Sequence, residues 1–337
     1  MAALAGSWLG AELVATATRR STVLQAGVQT GVACAALTTA TALLPGAAPV
    51  SLGQLAVGVI VPVAAGVVAA AAVLTLGAPL ERLFGHATRL TLSEWLNYDH
   101  ALVQELSVQA PGTFQHSINV ALLADAAARE IRADALLARV GALYHDVGKT
   151  LAADYYIENQ RGANPHDALS PVESAAILRR HVTDGVLLLR QHRMGERLAD
   201  FAREHHGTGV MRYFLDRADC EARATESFRY PGPQPRSKET AIVMIADQIE
   251  AASRANQPAD ETASAALVTR VVDGIERDGQ LAQCGLTSRD VERVRAACVR
   301  RLTAMYHRRL VYPPAQASPH RRRITLIPGL RRGRANG

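Results

Sequence analysis

Apolar residues change their pattern once along this chain, and the change divides it. From Ser21 to Leu80, 60 consecutive residues include no Asp, Glu, Lys, Arg or His. Within that block Thr22–Leu44 and Leu52–Ala78 are each long enough to cross ~30 Å of hydrocarbon at ~1.5 Å per residue. Pro45-Gly46 and Pro49 make a short turn between them, so the pair predicts a helical hairpin. From Glu81 the pattern becomes that of amphipathic helices, with apolar residues at helical spacing over 115–131, 135–147, 171–192, 196–206, 238–254, 260–277 and 288–310. Thr113, after Pro111-Gly112, and Ser170, before Pro171, are predicted N-caps. No alternating run of strand length stands out. The stretch Ser227–Ser237 holds three prolines and is irregular; a stiff, aromatic loop of this kind often lies over a binding site. The expected fold is all-α: a short apolar and basic segment (1–20), two transmembrane helices (21–80), a linker helix (81–110), a cytosolic helical bundle (111–312) and a basic, disordered tail (313–337).

Composition sharpens this division. All 68 acidic and basic side chains of the 337 residues lie outside the 21–80 block, which excludes a fully soluble single domain as well as disorder. Residues 1–18 are apolar except for Glu12, too short for a third span, and without the basic start of a signal peptide. Arg19 and Arg20 precede the first span, and Arg82 and Arg89 follow the second. Basic flanks on one side of an even number of spans put both ends in the cytoplasm. Trp8 and Trp95, beside apolar segments, are expected as interfacial anchors. The net charge of +6 owes much to six arginines in the last 17 residues, which face no acid. Such a tail reads as a solvated end or a weak partner for anionic lipid, and no nucleic-acid polymer is expected. Four cysteines without a C-x-x-C pair form neither a disulfide framework nor a zinc knuckle.

Seven residues then demand a chemical explanation: His116, His145, Asp146, His181, His205, His206 and Asp247. His145-Asp146 lies in A-L-Y-H-D-V-G-K, and Asp247 in A-I-V-M-I-A-D-Q-I-E. A carboxylate in a run so apolar is costly to bury unless it is paired or holds a cation. His205-His206-Gly207 ends another helix. The three sites read best as one polar cluster between packed helices. Imidazole and carboxylate without thiolate suit Fe, Mn or Co better than a structural zinc.

H…HD…H…HH…D in an all-helical domain resembles the HD superfamily of metal-dependent phosphohydrolases. A-P-G-T-F-Q-H-S (110–117), H-D-V-G-K (145–149), Y-I-E-N-Q (156–160), N-P-H-D (164–167), E-H-H-G-T (204–208) and F-R-Y-P-G-P (228–233) resemble its membrane-anchored seven-transmembrane HD family, from about Arg19 through Tyr312. That resemblance implies an HD phosphohydrolase bundle hydrolysing cyclic di-AMP to 5′-pApA in the bacterial inner membrane, multi-pass, with the HD domain facing the cytoplasm. It implies two divalent ions, Mn or Fe being expected. His116, His145, Asp146 and Asp247 would hold one, with Asp146 bridging to a second held by His181 and His205. His206 either ligates the second ion, which is favoured, or contacts the phosphate. Lys149 would stabilise phosphoryl charge or assist the leaving oxygen, against a plain dipole-complementing lysine at a helix end. Asn159, Gln160, Arg229 and Tyr230 would shape the nucleotide pocket, turn and packing roles weighing about equally. His166, His192 and His307 are expected to be structural or surface residues. The partners implied are a cyclic dinucleotide, the lipid bilayer and, optionally, a second copy in a homodimer.

Two departures stand out. The family usually has seven spans and an extracellular N-terminal domain, whereas this chain begins near what resembles the end of the fifth span. It also has Gln115-His116 where two histidines are common. The alternatives weighed are an HD phosphohydrolase acting on cyclic di-GMP or a mononucleotide, and a non-catalytic nucleotide sensor. H-H-G-T in place of a G-Y-P motif argues against the first, and the complete ligand set against the second.

Overall fold

The charge-free block folds as two long helices, in a computed structural model that describes residues 2–45, 48–218 and 222–306. Helix α1 (Ala2–Ala15) precedes α2 (Arg20–Ala42) and α3 (Leu52–Phe84). With 23 and 33 residues, α2 and α3 are about 35 and 50 Å long, and both are long and apolar enough to cross a membrane. Only 11% of the apolar stretch of α3 is buried, unlike a helix in the core of a soluble protein. Leu52, Ile60, Val68 and Leu76 stand exposed along it, a surface suited to an apolar solvent. The two helices touch where side chains are absent: a Cβ on Gly66 would lie 2.1 Å from the Gly27 carbonyl oxygen, so glycine alone permits this approach. The apolar N-terminal segment forms α1, and a small cluster of Ala17, Val23 and Ala70, with Val14 and Leu74 against it, ties it to the hairpin.

Helix α3 runs past the expected end at Ala78 through Glu81-Arg82-Leu83-Phe84 and stops at Gly85, whose φ of +66° makes a left-handed C-cap. The Glu81 carboxylate then accepts from the Thr88 N–H and the Thr91 hydroxyl, fastening the start of α4 (Arg89–Trp95) to the end of the hairpin. The expected linker helix over 81–110 is therefore three pieces: the tail of α3, then α4, then α5 (Ala101–Gln109). Leu92, Leu102 and Val103 are buried in the main core, so α4 and α5 pack as part of the domain. Trp95 packs against that core too, and its carbonyl accepts the Tyr144 hydroxyl at 2.8 Å, which replaces the expected interfacial role.

The remaining helices are α6 (Pro111–Glu130), α7 (Ala135–Tyr144), α8 (Pro171–Gln191), α9 (Glu196–Glu204), α10 (Arg212–Asp216), α11 (Lys238–Asn256), α12 (Glu261–Arg277) and α13 (Ser288–Tyr306). Short 3-10 segments cover Val147–Tyr155, Pro165–Ala168 and Ala222–Phe228. Among the described residues the only extended pairing is an isolated bridge between Val210 and Arg229, so the all-α expectation holds. Helix α11 runs through the middle, with Ile242–Ala246 inaccessible to solvent, and the alanines of α6 (Ala124, Ala127, Ala128) let it pack closely. Ser170 caps α8 with a full capping box through Glu173, as predicted.

Two local expectations change. Helix α6 starts at Pro111, so Thr113 lies inside its first turn instead of capping it. Helix α7 ends at Tyr144, so His145-Asp146 follow a helix end and Lys149 sits in the 3-10 segment, not at a helix C-terminus. Cys220, His307, Tyr312 and the basic tail lie outside the described residues.

Candidate metal centre

Four of the five histidines of the cluster are aimed by a hydrogen bond on the far side of the ring. His145 Nδ1 donates to the Ala142 carbonyl at 2.7 Å, and His181 Nδ1 to that of Leu178 at 2.6 Å. His205 Nδ1 is shared between the Phe201 and Ala202 carbonyls. A carbonyl can only accept, so these rings hold a proton on Nδ1 and turn Nε2 inward. His116 Nδ1 is bound instead by the Glu250 carboxylate of α11. Glu250 is 2% exposed and also accepts from Asn119 and Arg254.

The inward atoms converge on two carboxylates. His116 Nε2 lies 3.0 Å from Asp247 Oδ1 and 3.6 Å from Asp146 Oδ2, and His145 Nε2 lies 3.2 Å from Asp146 Oδ2. The other Asp146 oxygen, Oδ1, is 3.4 Å from His181 Nε2 and 3.5 Å from His205 Nε2. His206 Nδ1 is 3.7 Å from Asp247 Oδ2. Asp146, His181, His205 and His206 form one group able to hold a cation, and His116, His145 and Asp247 another. Asp146 stands between them with one oxygen toward each. The structure thus brings together all seven residues singled out by the sequence. His206 is the most open of them at 21% exposure. It lies beyond the last helical residue of α9, where Gly207 (φ +52°) turns the chain. Release from helical geometry lets the adjacent rings of His205 and His206 face the same space, their centroids 4.0 Å apart.

The donor set asks for a cation. His145 Nε2 and Asp146 Oδ1 are buried without a hydrogen-bond partner. His181 Nε2 and His205 Nε2 meet at 3.1 Å, and burial keeps His181 neutral by pushing it down to about 3. Burial also opposes a charge on His145, yet Asp146 and Asp247 outweigh it and push that ring up to about 10. Asp146 is held well below the usual carboxylate range because His145 and Lys149 outweigh its burial. Lone pairs of imidazole and carboxylate converging in a buried space fit divalent cations better than any arrangement of protons.

Around this cluster the expected substrate residues have structural ties. Lys149 Nζ bridges Asp146 Oδ2 at 2.7 Å and Glu158 Oε1 at 2.9 Å, and those two carboxylates outweigh its burial and hold it well above its usual value. Asn159 Oδ1 accepts from the Gly112 and Thr113 N–H groups, and its Nδ2 donates to the Thr113 hydroxyl. It is the remote cap of α6, the helix that carries His116, which is the packing side of the choice its motif left open. Gln160 bonds Asn164. Arg229 donates to the Thr208 carbonyl and pairs with Glu226, and Tyr230 stacks on His206 with ring centroids 4.1 Å apart. His166 is structural, bound to the Tyr155 carbonyl at 2.9 Å, and His192 is the C-cap of α8. Gln115 donates to Asn119, which in turn donates to Glu250. Glu250 and Glu158 were not singled out in the sequence. Both signals were present: Glu250 is an acid three positions after Asp247 in the same apolar run, and Glu158 stands in the middle of the Y-I-E-N-Q motif.

Comparison with known proteins comes to the same place. Residues 113–252 match the HD domain family. The chain is 40% identical over 240 residues to "Cyclic-di-AMP phosphodiesterase PgpH" of Listeria monocytogenes, covering 69% of this chain and 33% of the relative. It is 40% identical over 235 residues to the protein of the same name in Bacillus subtilis, with the same coverages. It spans about a third of the length of these curated relatives. The crystal structure of the Listeria monocytogenes phosphodiesterase PgpH HD domain superposes with a TM-score of 0.59 at 38% identity, covering 62% of this chain and 100% of that one. The same domain in complex with cyclic-di-AMP gives a TM-score of 0.59 at 37% identity, with the same coverages.

Proposed function

This chain belongs to the HD-domain family, and we propose that it is a membrane-anchored, metal-dependent phosphodiesterase opening cyclic di-AMP to 5′-pApA. The observation that carries the reading is the Asp146 carboxylate, one oxygen facing His116 and His145 and the other facing His181 and His205. Similarity to the PgpH phosphodiesterases, and to a PgpH domain solved with cyclic-di-AMP, supports the choice of substrate. Two divalent ions, Mn or Fe, are proposed. His116, His145, Asp146 and Asp247 would hold one, and Asp146, His181, His205 and His206 the other. When bound, such a pair lowers the pKa of water and neutralises charge on a reacting phosphate.

The protein's own part is to aim and to hold. Glu250 keeps the His116 proton on Nδ1, leaving Nε2 for the site. Glu158 fastens Lys149 beside Asp146, where its ammonium stabilises charge developing on the phosphoryl oxygens. Tyr230 packs flat on His206 and limits its rotation. Arg229, Tyr230 and Gln160 are proposed to border the nucleotide, and Asn159 to act through the position of α6. Helices α2 and α3 would anchor the domain in the bacterial inner membrane, with Arg19, Arg20, Arg82 and Arg89 marking the cytoplasmic side.

The deciding measurement is turnover by the full chain on cyclic di-AMP and on cyclic di-GMP, with and without Mn²⁺. Metal-dependent release of 5′-pApA supports the proposal, while preferential opening of cyclic di-GMP, or binding without turnover, rejects it. His206→Ala separates the two roles of that residue. As a ligand its loss should lower occupancy of the second ion, and excess Mn²⁺ should partly restore activity. Occupancy of two ions per chain with an unrescued rate would make His206 a phosphate contact.

A further inference from the structure

Away from the metal cluster, a cavity of about 370 Å³ opens where the hairpin meets the domain. Its walls include Thr18, just before α2, together with Arg89, Asp125, Arg129, Asp134 and Arg139. The two acids are already engaged. Asp125 takes both arms of the Arg129 guanidinium at 2.8 and 3.1 Å. Asp134 caps α7, accepting the Leu137 N–H at 3.1 Å, and lies 3.7 Å from Arg89. Arg139 is exposed and pairs with no acid among the described residues. Three guanidinium groups of the lining therefore share its two carboxylates, Glu239 lying behind Asp134, and Arg139 keeps all its donors free. Ala135 and Leu136 place the first turn of α7 in the wall, its N-terminus capped by Asp134 and with the Glu239 carboxylate on the Asp134 N–H at 2.9 Å.

The position of this cavity bears on what it can hold. Thr18 adjoins Arg19 and Arg20, where the first span begins, so the cavity lies level with the membrane–water boundary. Phosphate groups of lipids occupy that depth, and arginine forks match phosphate oxygens in pairs. Another cavity, of about 330 Å³ between Pro258 and Tyr306, has the opposite lining, with Asp260 and Glu261 and no basic residue. We propose that the cavity lined by Arg89, Arg129 and Arg139 binds the phosphate headgroup of an anionic phospholipid, docking the HD domain against the bilayer at the root of the hairpin. The proposal rests on the reading that α2 and α3 cross the membrane, and the test keeps the two apart.

The full chain, extracted in a non-ionic detergent, is titrated with short-chain phosphatidylglycerol, short-chain phosphatidylcholine and inorganic phosphate, and bound adducts are counted by native mass spectrometry. One phosphatidylglycerol per chain is expected, with phosphatidylcholine and inorganic phosphate each bound at least tenfold more weakly. Arg139→Glu, an exposed change, should weaken the phosphatidylglycerol adduct by about tenfold or more, and Arg139→Gln by less, with metal content and turnover in detergent unchanged. Equal retention of the two lipids, or wild-type retention by Arg139→Glu, overturns the proposal. Inorganic phosphate binding as tightly as phosphatidylglycerol overturns it in favour of a soluble anion. Alkaline extraction of membranes tests the anchor separately: release of the chain removes both readings, whereas a retained chain that fails the lipid titration removes this one alone.

Discussion

Asp146→Ala is expected to abolish hydrolysis and to lower the metal content from the proposed two ions per chain to one or none. The side chain contributes an oxygen to each half of the cluster, so its loss weakens both groups together, whereas losing any single histidine weakens one. Removing a residue that only orients a ligand typically costs about 10–100-fold in metal affinity or activity, and loss of the shared ligand should exceed that range. The same change leaves Lys149 with Glu158 alone and takes the Asp146 oxygens away from four histidine nitrogens. Helical content should persist, since Asp146 lies outside the regular helices. Metal analysis beside turnover of cyclic di-AMP is the check. A variant that keeps two ions and turns over within about tenfold of the parent would dismiss the shared-ligand assignment.

Gly148→Ala should cost almost as much activity by a purely steric route. A Cβ at Gly148 would lie 2.1 Å from the His181 carbonyl oxygen and 2.5 Å from the Gly185 nitrogen. Both are backbone atoms of α8, which cannot swing aside as the end of a side chain would. The helix carrying His181 must move away from the segment carrying His145 and Asp146. Overpacking of this kind typically costs about 1–3 kcal/mol of stability, and a displacement near 1 Å at a reacting centre can cost about 10²-fold in rate. Occupancy of the group containing His181 should fall while helical content is kept. Gly274→Ala is the control: no atom lies within 4 Å of its new Cβ in α12, and it should be neutral or add about 0.5–1 kcal/mol. Thermal unfolding and metal analysis of the two variants side by side give the answer. Equal behaviour of the pair would show that the Gly148–α8 contact has no bearing on the site.

Much of this protein was legible because it depends on short stretches of chain. Whether a segment can lie in hydrocarbon depends on its own side chains, so α2 and α3 could be read directly, and so could the helical period of α6, α8, α11, α12 and α13. The ligand types were legible too, because Asp146 and Asp247 are acids in apolar surroundings, a local contradiction that a cation resolves. Boundaries were read less well. Nothing near Thr113 says that its helix begins two residues earlier, because the cap comes from Asn159, 46 residues away. The H-D pair was read as helical because the apolar run continues through Val147, although packing against α8 turns the chain after Tyr144.

By itself, the sequence determined the charge-free hairpin, the helical class and the identity of the seven clustered residues, since each follows from residue type and local spacing. Only the tertiary structure decided how they work together. It divides the two Asp146 oxygens between two groups of histidines, selects Glu250 to hold His116 across 134 residues, ties Lys149 to Glu158, and gathers three arginines at the root of the hairpin. The reason is geometric. A hydrogen bond or a coordination site is decided within about 3 Å, and that distance between residues far apart in the chain is set by how α6, α7, α8, α9 and α11 pack, not by any pattern within one of them.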